Sequence, residues 1–376
     1  MQAAYTVRMR PGWLRTVLLA ASAMATMMTA GCAADSSEQE EEEDGVESAE
    51  DMLATIGEEP TGSASRHAIV LAHGFDASDS NRWSFNGVAE ALERDGHVVH
   101  SARVQPYRGV PDRAEELAKH IDLAREECAA KPGCDASKVH IVAHSMGGLD
   151  SRYLVAKLSN PDGVPYSKVV ASVTTISSPH RGTAIADKVL AILPGAADPV
   201  VNTLAGLWAR TFTDRDLAEG SDLRAALVGI SEANSASFNS EVKNAPGVYY
   251  QSWAGITSHV DFHIDRREVE ACEGKVESYK NRHDRMFDHD PVSSAQLQAS
   301  APIVGHGLGG SADPNDGMVT VESAKWGVFR GCIPADHMDE VGQRIGSDAP
   351  ARWSRFDHVR FYRRIAFGLD AAAGRR

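Results

Sequence analysis

Residues 138 to 152 read KVHIVAHSMGGLDSR, and this stretch decides the fold. The β-branched residues between 139 and 142 predict a buried strand, and the spacing from Met146 to Leu158 predicts a helix directly after it. Ser145 lies between the two, with a small residue two positions before it and another two positions after it. A tight turn of this kind lifts the serine hydroxyl above the end of the sheet, as in a nucleophile elbow. Ser145 is therefore a candidate nucleophile.

Apolar runs alternate with helical patterns from Arg66 onward. The segment Asp112 to Ala130 has apolar residues at helical spacing. Strands that alternate with helices predict an α/β fold, with a mostly parallel sheet covered by helices on both faces. The predicted strands are His67 to Ala72, Val98 to Val104, Val139 to Ala143, Val169 to Ile176 and Val248 to Ala254.

Residues 1 to 31 predict a secretory signal. Three arginines precede an apolar stretch from Val17 to Ala30, and small residues stand directly before Cys32. This end also resembles the lipobox of bacterial lipoproteins, with Thr29 where leucine is usual, so a lipidated Cys32 that tethers the chain to a membrane is the favoured interpretation. Free secretion and an uncleaved anchor are the alternatives. The sequence thus predicts an exported bacterial protein, either secreted or held at the outer surface.

Residues 32 to 65 predict a disordered acidic linker. Twelve acidic residues and no Lys or Arg lie between Asp35 and Glu59, and such a block cannot bury enough apolar area to fold. Much of the formal net charge of −14 lies in this linker, so the body from residue 66 to 376 is only mildly acidic. Nothing in the charge distribution indicates nucleic acid as a partner. The body reads as one domain.

Four cysteines remain when Cys32 is set aside. In an exported protein this even number indicates two disulfides. Three pairings are open, and the favoured one joins Cys128 to Cys134 and Cys272 to Cys332.

The interval 184 to 234 is a long insertion between two predicted strands. It combines apolar stretches with breakers at Pro194, Gly195 and Pro199. Ordinary core helices are one interpretation. The favoured one is a mobile lid whose apolar face meets lipid.

The first predicted strand ends in the loop LAHGF, residues 71 to 75. Acyl transfer places negative charge on the former carbonyl oxygen, and two backbone N–H groups aimed at that oxygen lower the barrier. Phe75 and Met146 are the candidate donors. His73 is assigned a structural role in shaping this loop.

The general base must be a histidine oriented by a carboxylate. Hydrolases of this type place serine, acid and histidine in that chain order, which excludes most of the fifteen histidines. Asp316, in the turn NDGMV, is the candidate acid, with Asp290 in reserve. His337 is the candidate base. Its rival, His358, lies in a C-terminal helical pattern that favours packing or capping.

Five motifs in this order resemble the true bacterial lipases of the Pseudomonas and Burkholderia type. They are LAHGF, AHSMGG, SPHRGTAIAD (178 to 187), NDGMV (315 to 319) and DHMDEVGQ (336 to 343). The resemblance spans roughly residues 66 to 350. It implies an α/β-hydrolase fold, a helical lid that acts at interfaces, and hydrolysis of long-chain acylglycerols.

The same resemblance implies a structural calcium ion that steadies the histidine loop. Asp339 and Gln343 match the family's ligand pattern, the backbone oxygen of Ser347 falls at a third position, and Asp290 is the best match for the remaining carboxylate. Oxygen ligands suit Ca²⁺. Surface acids near a loop are the alternative interpretation.

The sequence therefore predicts a serine lipase or carboxylesterase that acts on a lipid or ester substrate at an interface. Two alternatives stay open. The first is an esterase of the same fold that acts on polyesters or phospholipid acyl esters, and the second is a non-catalytic binding lipoprotein. A folding chaperone is a further candidate partner that the sequence leaves undecided.

Overall fold

The computed structural model describes residues 59–75, 84–192, 222–257, 266–276, 304–305, 313–343, 354 and 356–374. The predicted signal, most of the acidic linker and the centre of the predicted lid lie outside these residues. Within the described ranges, no helix is long and apolar enough to cross a membrane.

Within these ranges, six parallel strands form one sheet in the order β2-β1-β3-β4-β5-β6. Because β2 and β3 lie on opposite sides of β1, the strand order reverses between β1 and β3. Ligands of open α/β sheets bind at the carboxyl ends of strands beside such a reversal. The strands are β1 (Ala68–Ala72), β2 (Val99–Ala102), β3 (Val139–His144), β4 (Val170–Ile176), β5 (Tyr249–Gly255) and β6 (Val328–Ile333).

Helices cover both faces of the sheet. One core packs the second and third helices against one face, and a second core packs the first and the last helix against the other. The described helices are α1 (Val88–Arg94), α2 (Val110–Ala129), α3 (Gly147–Lys157), α4 (Tyr166–Val169), α5 (Ala184–Ile192), α6 (Leu223–Gly229), α7 (Glu232–Glu241), α8 (Arg266–Ala271), α9 (Val321–Ala324) and α10 (His358–Gly374).

The predicted α/β fold is confirmed, and each of the five predicted strands lies within two residues of an observed one. The sixth strand, β6, was not predicted. Its sequence VFRGCI lacks a clean period of two, because the register with β5 shifts and Gly331 adopts a φ of 132° there. The described ends of the insertion at 184 to 234 form α5, α6 and the start of α7.

The favoured disulfide pairing is confirmed. Cys128 bonds to Cys134 just after α2, and Cys272 bonds to Cys332 between α8 and β6.

The packed body begins before residue 66, where the sequence placed its boundary. Arg363 on α10 forms an ion pair with Glu59 and bonds the Pro60 carbonyl, and Gly62 lies against Phe367. The last residues of the predicted linker therefore lie along α10.

Candidate active site

Ser145 occupies the turn between β3 and α3. Its φ of 55° lies in the left-handed region, which a non-glycine residue rarely adopts. The Ser145 N–H donates to the Ile176 carbonyl at 2.9 Å, which fixes the turn to β4. A Cβ at Gly147 would lie 2.5 Å from the carbonyl oxygens of both Ala72 and His73, so only glycine fits two residues after the serine. This strained strand-to-helix turn is the geometry of a nucleophile elbow.

A continuous hydrogen-bonded chain joins three of the candidate residues. His337 Nε2 lies 2.9 Å from Ser145 Oγ, and His337 Nδ1 lies 2.7 Å from Asp316 Oδ2. Asp316 is fully buried and His337 nearly so. The histidine thus has a hydroxyl on one nitrogen and a carboxylate on the other, which is the arrangement that lets an imidazole take a proton from serine.

The Asp316 carboxylate is held by its own turn. Its Oδ1 accepts the N–H of Met318 at 2.8 Å and that of Val319 at 2.7 Å, which leaves Oδ2 for His337. The His337 N–H in turn donates to the Asp316 carbonyl at 3.0 Å. Acid and base are therefore oriented by short local contacts as well as by each other.

A second polar group lies beneath this chain. His144 Nε2 lies 3.0 Å from Glu340 Oε2, the Ser177 hydroxyl donates to Glu340 Oε1 at 2.6 Å, and the His144 and His337 rings are 4.5 Å apart. Burial raises the pKa of Glu340 well above its usual range, and the nearby charge of Asp316 raises it further. Burial also holds the pKa of His144 well below its usual range. Burial thus favours the neutral form of both groups.

The loop after β1 lies directly against the elbow. A Cβ at Gly74 would lie 2.7 Å from the Cβ of Ser145, so the backbone approaches the serine as closely as it can. In the described part of the chain, the N–H groups of Phe75 and Met146 have no hydrogen-bond acceptor. Among the described residues, therefore, no acceptor competes with an oxyanion for either N–H group.

The rival histidine, His358, does not bond Ser145 or Asp316. It begins α10, and its Nε2 lies 2.7 Å from the Asn86 carbonyl, to which it can donate. The structure thus brings His337 to Ser145 and leaves His358 in a contact between α10 and the start of α1.

An apolar cluster borders the elbow. It joins Met146 with Val110 and with residues of α5 and α6, and the ring of Phe75 packs against it. The two described ends of the insertion thus place apolar side chains beside Ser145.

Two of the four predicted calcium ligands are described. Asp339 begins the short 3₁₀ turn Asp339–Val341 that follows His337, and Gln343 comes two residues after the end of that turn. Both side chains are buried. The other two, Asp290 and Ser347, lie outside the described residues. The use of Asp290 as a reserve acid therefore stays a prediction.

Among the described residues, one group of three could hold a metal by distance alone, namely His144, His337 and Glu340. Both nitrogens of His337 already contact Ser145 and Asp316, and His144 already contacts Glu340. A metal here would break the chain that reaches the serine, so this group is better described as a hydrogen-bonded network.

Sequence reasoning missed Glu340 and His144 as parts of the site. Glu340 lies three residues after His337 and so follows it by one helical turn, which was the available signal. Its burial was not predictable, because its partners come from β3 and from the end of β4.

Similarity to known proteins agrees with this geometry. The profile of a family described as "Putative serine esterase (DUF676)" matches residues 63–241. A triacylglycerol lipase of Pseudarthrobacter phenanthrenivorans is 26% identical over 313 residues, covering 76% of this chain and 92% of the relative. A triacylglycerol lipase of Vibrio cholerae is 29% identical over 317 residues, covering 82% and 88%. One from Burkholderia plantarii is 26% identical, covering 76% and 82%. The similarity is thus to lipases of several genera, and does not single out the Pseudomonas and Burkholderia type.

Two solved structures share the fold. A metagenomic carboxyl esterase superposes with a TM-score of 0.52 at 18% identity, covering 83% of this chain and 76% of its own. A lipase of Staphylococcus hyicus superposes with a TM-score of 0.51 at 17% identity, covering 84% and 99%. The fold is therefore the α/β-hydrolase fold. The similarity to the triacylglycerol lipases supports a hydrolase enzyme.

Proposed function

We propose that this protein is a serine lipase or carboxylesterase that hydrolyses acylglycerol esters through an acyl-enzyme on Ser145. His337 is the general base and then the general acid, and Asp316 orients it. The N–H groups of Phe75 and Met146 stabilise the oxyanion. The observation that carries this proposal is the unbroken hydrogen-bonded chain from buried Asp316 through His337 to a serine on a strained elbow.

The first half of the reaction acylates the enzyme. Ser145 Oγ attacks the ester carbonyl carbon while His337 Nε2 takes the hydroxyl proton, and the carbonyl oxygen becomes an oxyanion. When this intermediate collapses, the bond to the alcohol oxygen breaks and the imidazolium returns its proton to the leaving alcohol. The carboxylate of Asp316 stabilises the imidazolium without itself taking the proton.

The second half releases the acid. His337 removes a proton from water as the water oxygen attacks the acyl carbon, and a second oxyanion forms. Its collapse breaks the bond to Ser145 Oγ, which takes the proton back from the imidazolium. The chemistry requires only water as the second substrate.

The apolar cluster beside the elbow supports an apolar acyl chain as the substrate. It lies next to the nucleophile and includes residues from both described ends of the 184 to 234 insertion. We assign this insertion as a lid over a lipid or ester substrate at an interface. The apolar N-terminal stretch and Cys32 support export, with a lipid tether that the acidic linker separates from the catalytic body.

The buried oxygen-bearing side chains of Asp339 and Gln343 support a structural calcium ion. With Asp290 and Ser347 they would hold a hard cation next to the histidine loop. Its contribution would be to stabilise that loop, and the proton transfers would remain those of the residues above.

Substitution of the reacting pair tests this function. Ser145→Ala and His337→Ala should each lower ester hydrolysis by a factor of roughly 10⁴ to 10⁶, with the fold unchanged by circular dichroism. The double variant should be scarcely worse than either single variant, because the two residues act as one unit. Ester hydrolysis that survives in folded Ser145→Ala would overturn the proposal.

Initial rates on esters of graded chain length, above and below their solubility limits, identify the substrate class. A rise in rate when long-chain glycerides pass their solubility limit is expected of an interfacial lipase. Preference for polyesters or phospholipids would instead favour the alternative esterase. A chain that binds lipid with no turnover of any ester would be the non-catalytic lipoprotein.

A further inference from the structure

A charged pair is buried beneath the loop that follows β1. Arg113 Nε on α2 donates to Asp150 Oδ2 on α3 at 2.8 Å, and the two side chains are 0% and 1% exposed. Burying two charges is costly, and a buried pair is weak grounds for stability by itself. Neither residue belongs to the proposed triad or oxyanion donors.

The rest of the Arg113 guanidinium holds backbone carbonyls of that loop. Its Nη2 donates to the Gly74 carbonyl at 2.7 Å and to the His73 carbonyl at 3.2 Å, while Nη1 donates to the Gln105 carbonyl at 3.1 Å. A guanidinium is planar and presents its donors in fixed directions. Asp150 therefore sets the plane of the group, and the group sets the positions of two successive loop carbonyls.

The Gly74 carbonyl shares a peptide unit with the N–H of Phe75. In a planar trans peptide the C=O and the N–H point in opposite directions. We propose that Arg113 is a positioning residue that fixes this peptide, so that the Phe75 N–H faces the oxyanion formed at Ser145. This inference rests on the proposed function and assigns the buried pair a role in it.

His73 strengthens the same contact. Its Nε2 accepts the Val104 N–H at 3.0 Å, so the ring proton is on Nδ1, which donates to the Gly74 carbonyl at 3.0 Å. The carbonyl oxygen thus accepts from a neutral imidazole and from a cation. Polarising a peptide carbonyl in a buried site makes the N–H of the same peptide a stronger donor. Arg113 therefore increases the donor strength of the Phe75 N–H as well as fixing its direction.

A double variant separates this role from stability. Arg113→Met alone would leave the Asp150 carboxylate buried without its cation and could unfold the chain. Arg113→Met combined with Asp150→Leu replaces the whole pair with apolar side chains, an exchange that is often neutral or stabilising. We expect it to retain the wild-type urea midpoint, to leave KM within about twofold, and to lower kcat about 10²-fold, the usual cost of a lost oxyanion donor.

The affinity for a trifluoromethyl ketone ester analogue gives a second readout. Its hemiketal with the nucleophilic serine carries an oxyanion, so its binding should weaken by the same factor as kcat while substrate KM does not change. Arg152→Met is the matched control, since Arg152 is also buried but stacks on Trp326, 3.4 Å from the ring centroid, and does not contact the loop. This control should keep wild-type kcat per folded molecule.

Each outcome decides the inference. A folded double variant with wild-type kcat, beside an inactive Ser145→Ala, would overturn the role of Arg113 and leave the proposed function standing. If Ser145→Ala remains active, the proposed function falls and the inference with it. Should the double variant not fold, Arg113→Lys serves instead, because one ammonium cannot reproduce the fixed directions of the guanidinium donors. Arg113→Lys should lower kcat with KM unchanged. An undiminished kcat would contradict the inference.

Discussion

Each catalytic side chain of the site is held in one orientation by hydrogen bonds or by its backbone conformation. Asp316 uses one carboxylate oxygen on its own turn and the other on His337. His337 uses both ring nitrogens, and Ser145 is fixed by a strained φ. Pre-organised groups of this kind need little rearrangement when charge develops, which is the main source of catalytic power in such sites.

The carboxylate of Asp316 should matter less than the reacting pair but still strongly. Asp316→Asn keeps the shape but lets the amide favour the wrong tautomer of His337, so kcat should fall roughly 10⁴-fold. Steady-state rates with purified, folded variant test this.

His358→Ala is the control for that substitution, because the His358 ring bonds the Asn86 carbonyl and lies against Gly342 rather than bonding Ser145 or Asp316. It should keep wild-type kcat. An inactive His358→Ala beside an active His337→Ala would transfer the base to the C-terminal helix.

The elbow and its partners could be read from the sequence because their signals are local. Small residues around Ser145, the Gly-flanked turn of Asp316 and the chain order of acid and base were all visible in one chain. The Arg113 and Asp150 pair was not. Each lies within a helical pattern, and only the packing of α2 against α3 brings them together. Glu340 was missed for the same reason.

At the scale of elements, the C-terminal helix α10 is fixed to the sheet by one carboxylate. Asp370 Oδ2 accepts the Arg66 N–H at 2.8 Å, and Asp370 Oδ1 lies 3.1 Å from His140 Nε2. The bond to His140 lowers the pKa of Asp370 to about 2. Burial lowers the pKa of His140 and so favours the neutral imidazole, whose Nε2–H can donate to Asp370. A neutral His140 that donates to Asp370 is consistent with a lowered pKa for both groups.

This contact should depend on pH. A carboxyl whose folded pKa of about 2 lies below its ordinary value of 3.8 stabilises the fold above about pH 4, and that stability is lost as pH falls from about 4 to 2. Asp370→Asn should therefore cost about 1 kcal/mol at pH 7, since the group is partly exposed.

Urea unfolding of wild type and Asp370→Asn at several pH values measures this. The gap between them should be constant from pH 5 to 7 and narrow below pH 4. A gap that does not change with pH would show that the contact is not electrostatic.

Element prediction succeeded where burial was uniform. The strands β1, β3 and β4 are buried along their whole length, and continuous apolar runs mark such strands. The edge strand β6 alternates exposed and buried residues and then breaks at Gly331, so its pattern is weak. The start of the packed body was misplaced because Glu59 looks like the rest of an acidic linker, whereas its partner Arg363 lies 304 residues away.

At the scale of the whole molecule, the sheet brings distant segments to one edge. The loop after β1, the elbow after β3, the turn of Asp316 and the loop of His337 are far apart in the chain, yet meet at the carboxyl ends of neighbouring strands. This is where α/β sheets bind ligands, beside the reversal of strand order. The fold thus determines the position of the active site, and the loops supply the residues that carry out the reaction.

Calcium should couple stability to activity at this scale. If Asp339 and Gln343 help to hold an ion in the native state only, chelation should lower the melting temperature and the rate together. Where free calcium had been ~100-fold above Kd, its removal should lower the free energy of unfolding by about 3 kcal/mol. Thermal unfolding and ester hydrolysis with and without EDTA measure both.

Asp339→Asn supplies the matched control, since it should already be destabilised and should respond little to EDTA. If chelation leaves the melting temperature and the rate of the wild type unchanged, the protein has no structural calcium ion at this loop.

The proposed mechanism depends on Ser145 being a nucleophile that His337 activates. The most direct measurement is labelling of the native protein with a fluorophosphonate, followed by mass spectrometry of its peptides. We expect one phosphonylated residue, Ser145, with labelling lost after denaturation and in His337→Ala. Labelling of another residue, or none on a folded wild-type chain that hydrolyses esters, would contradict it.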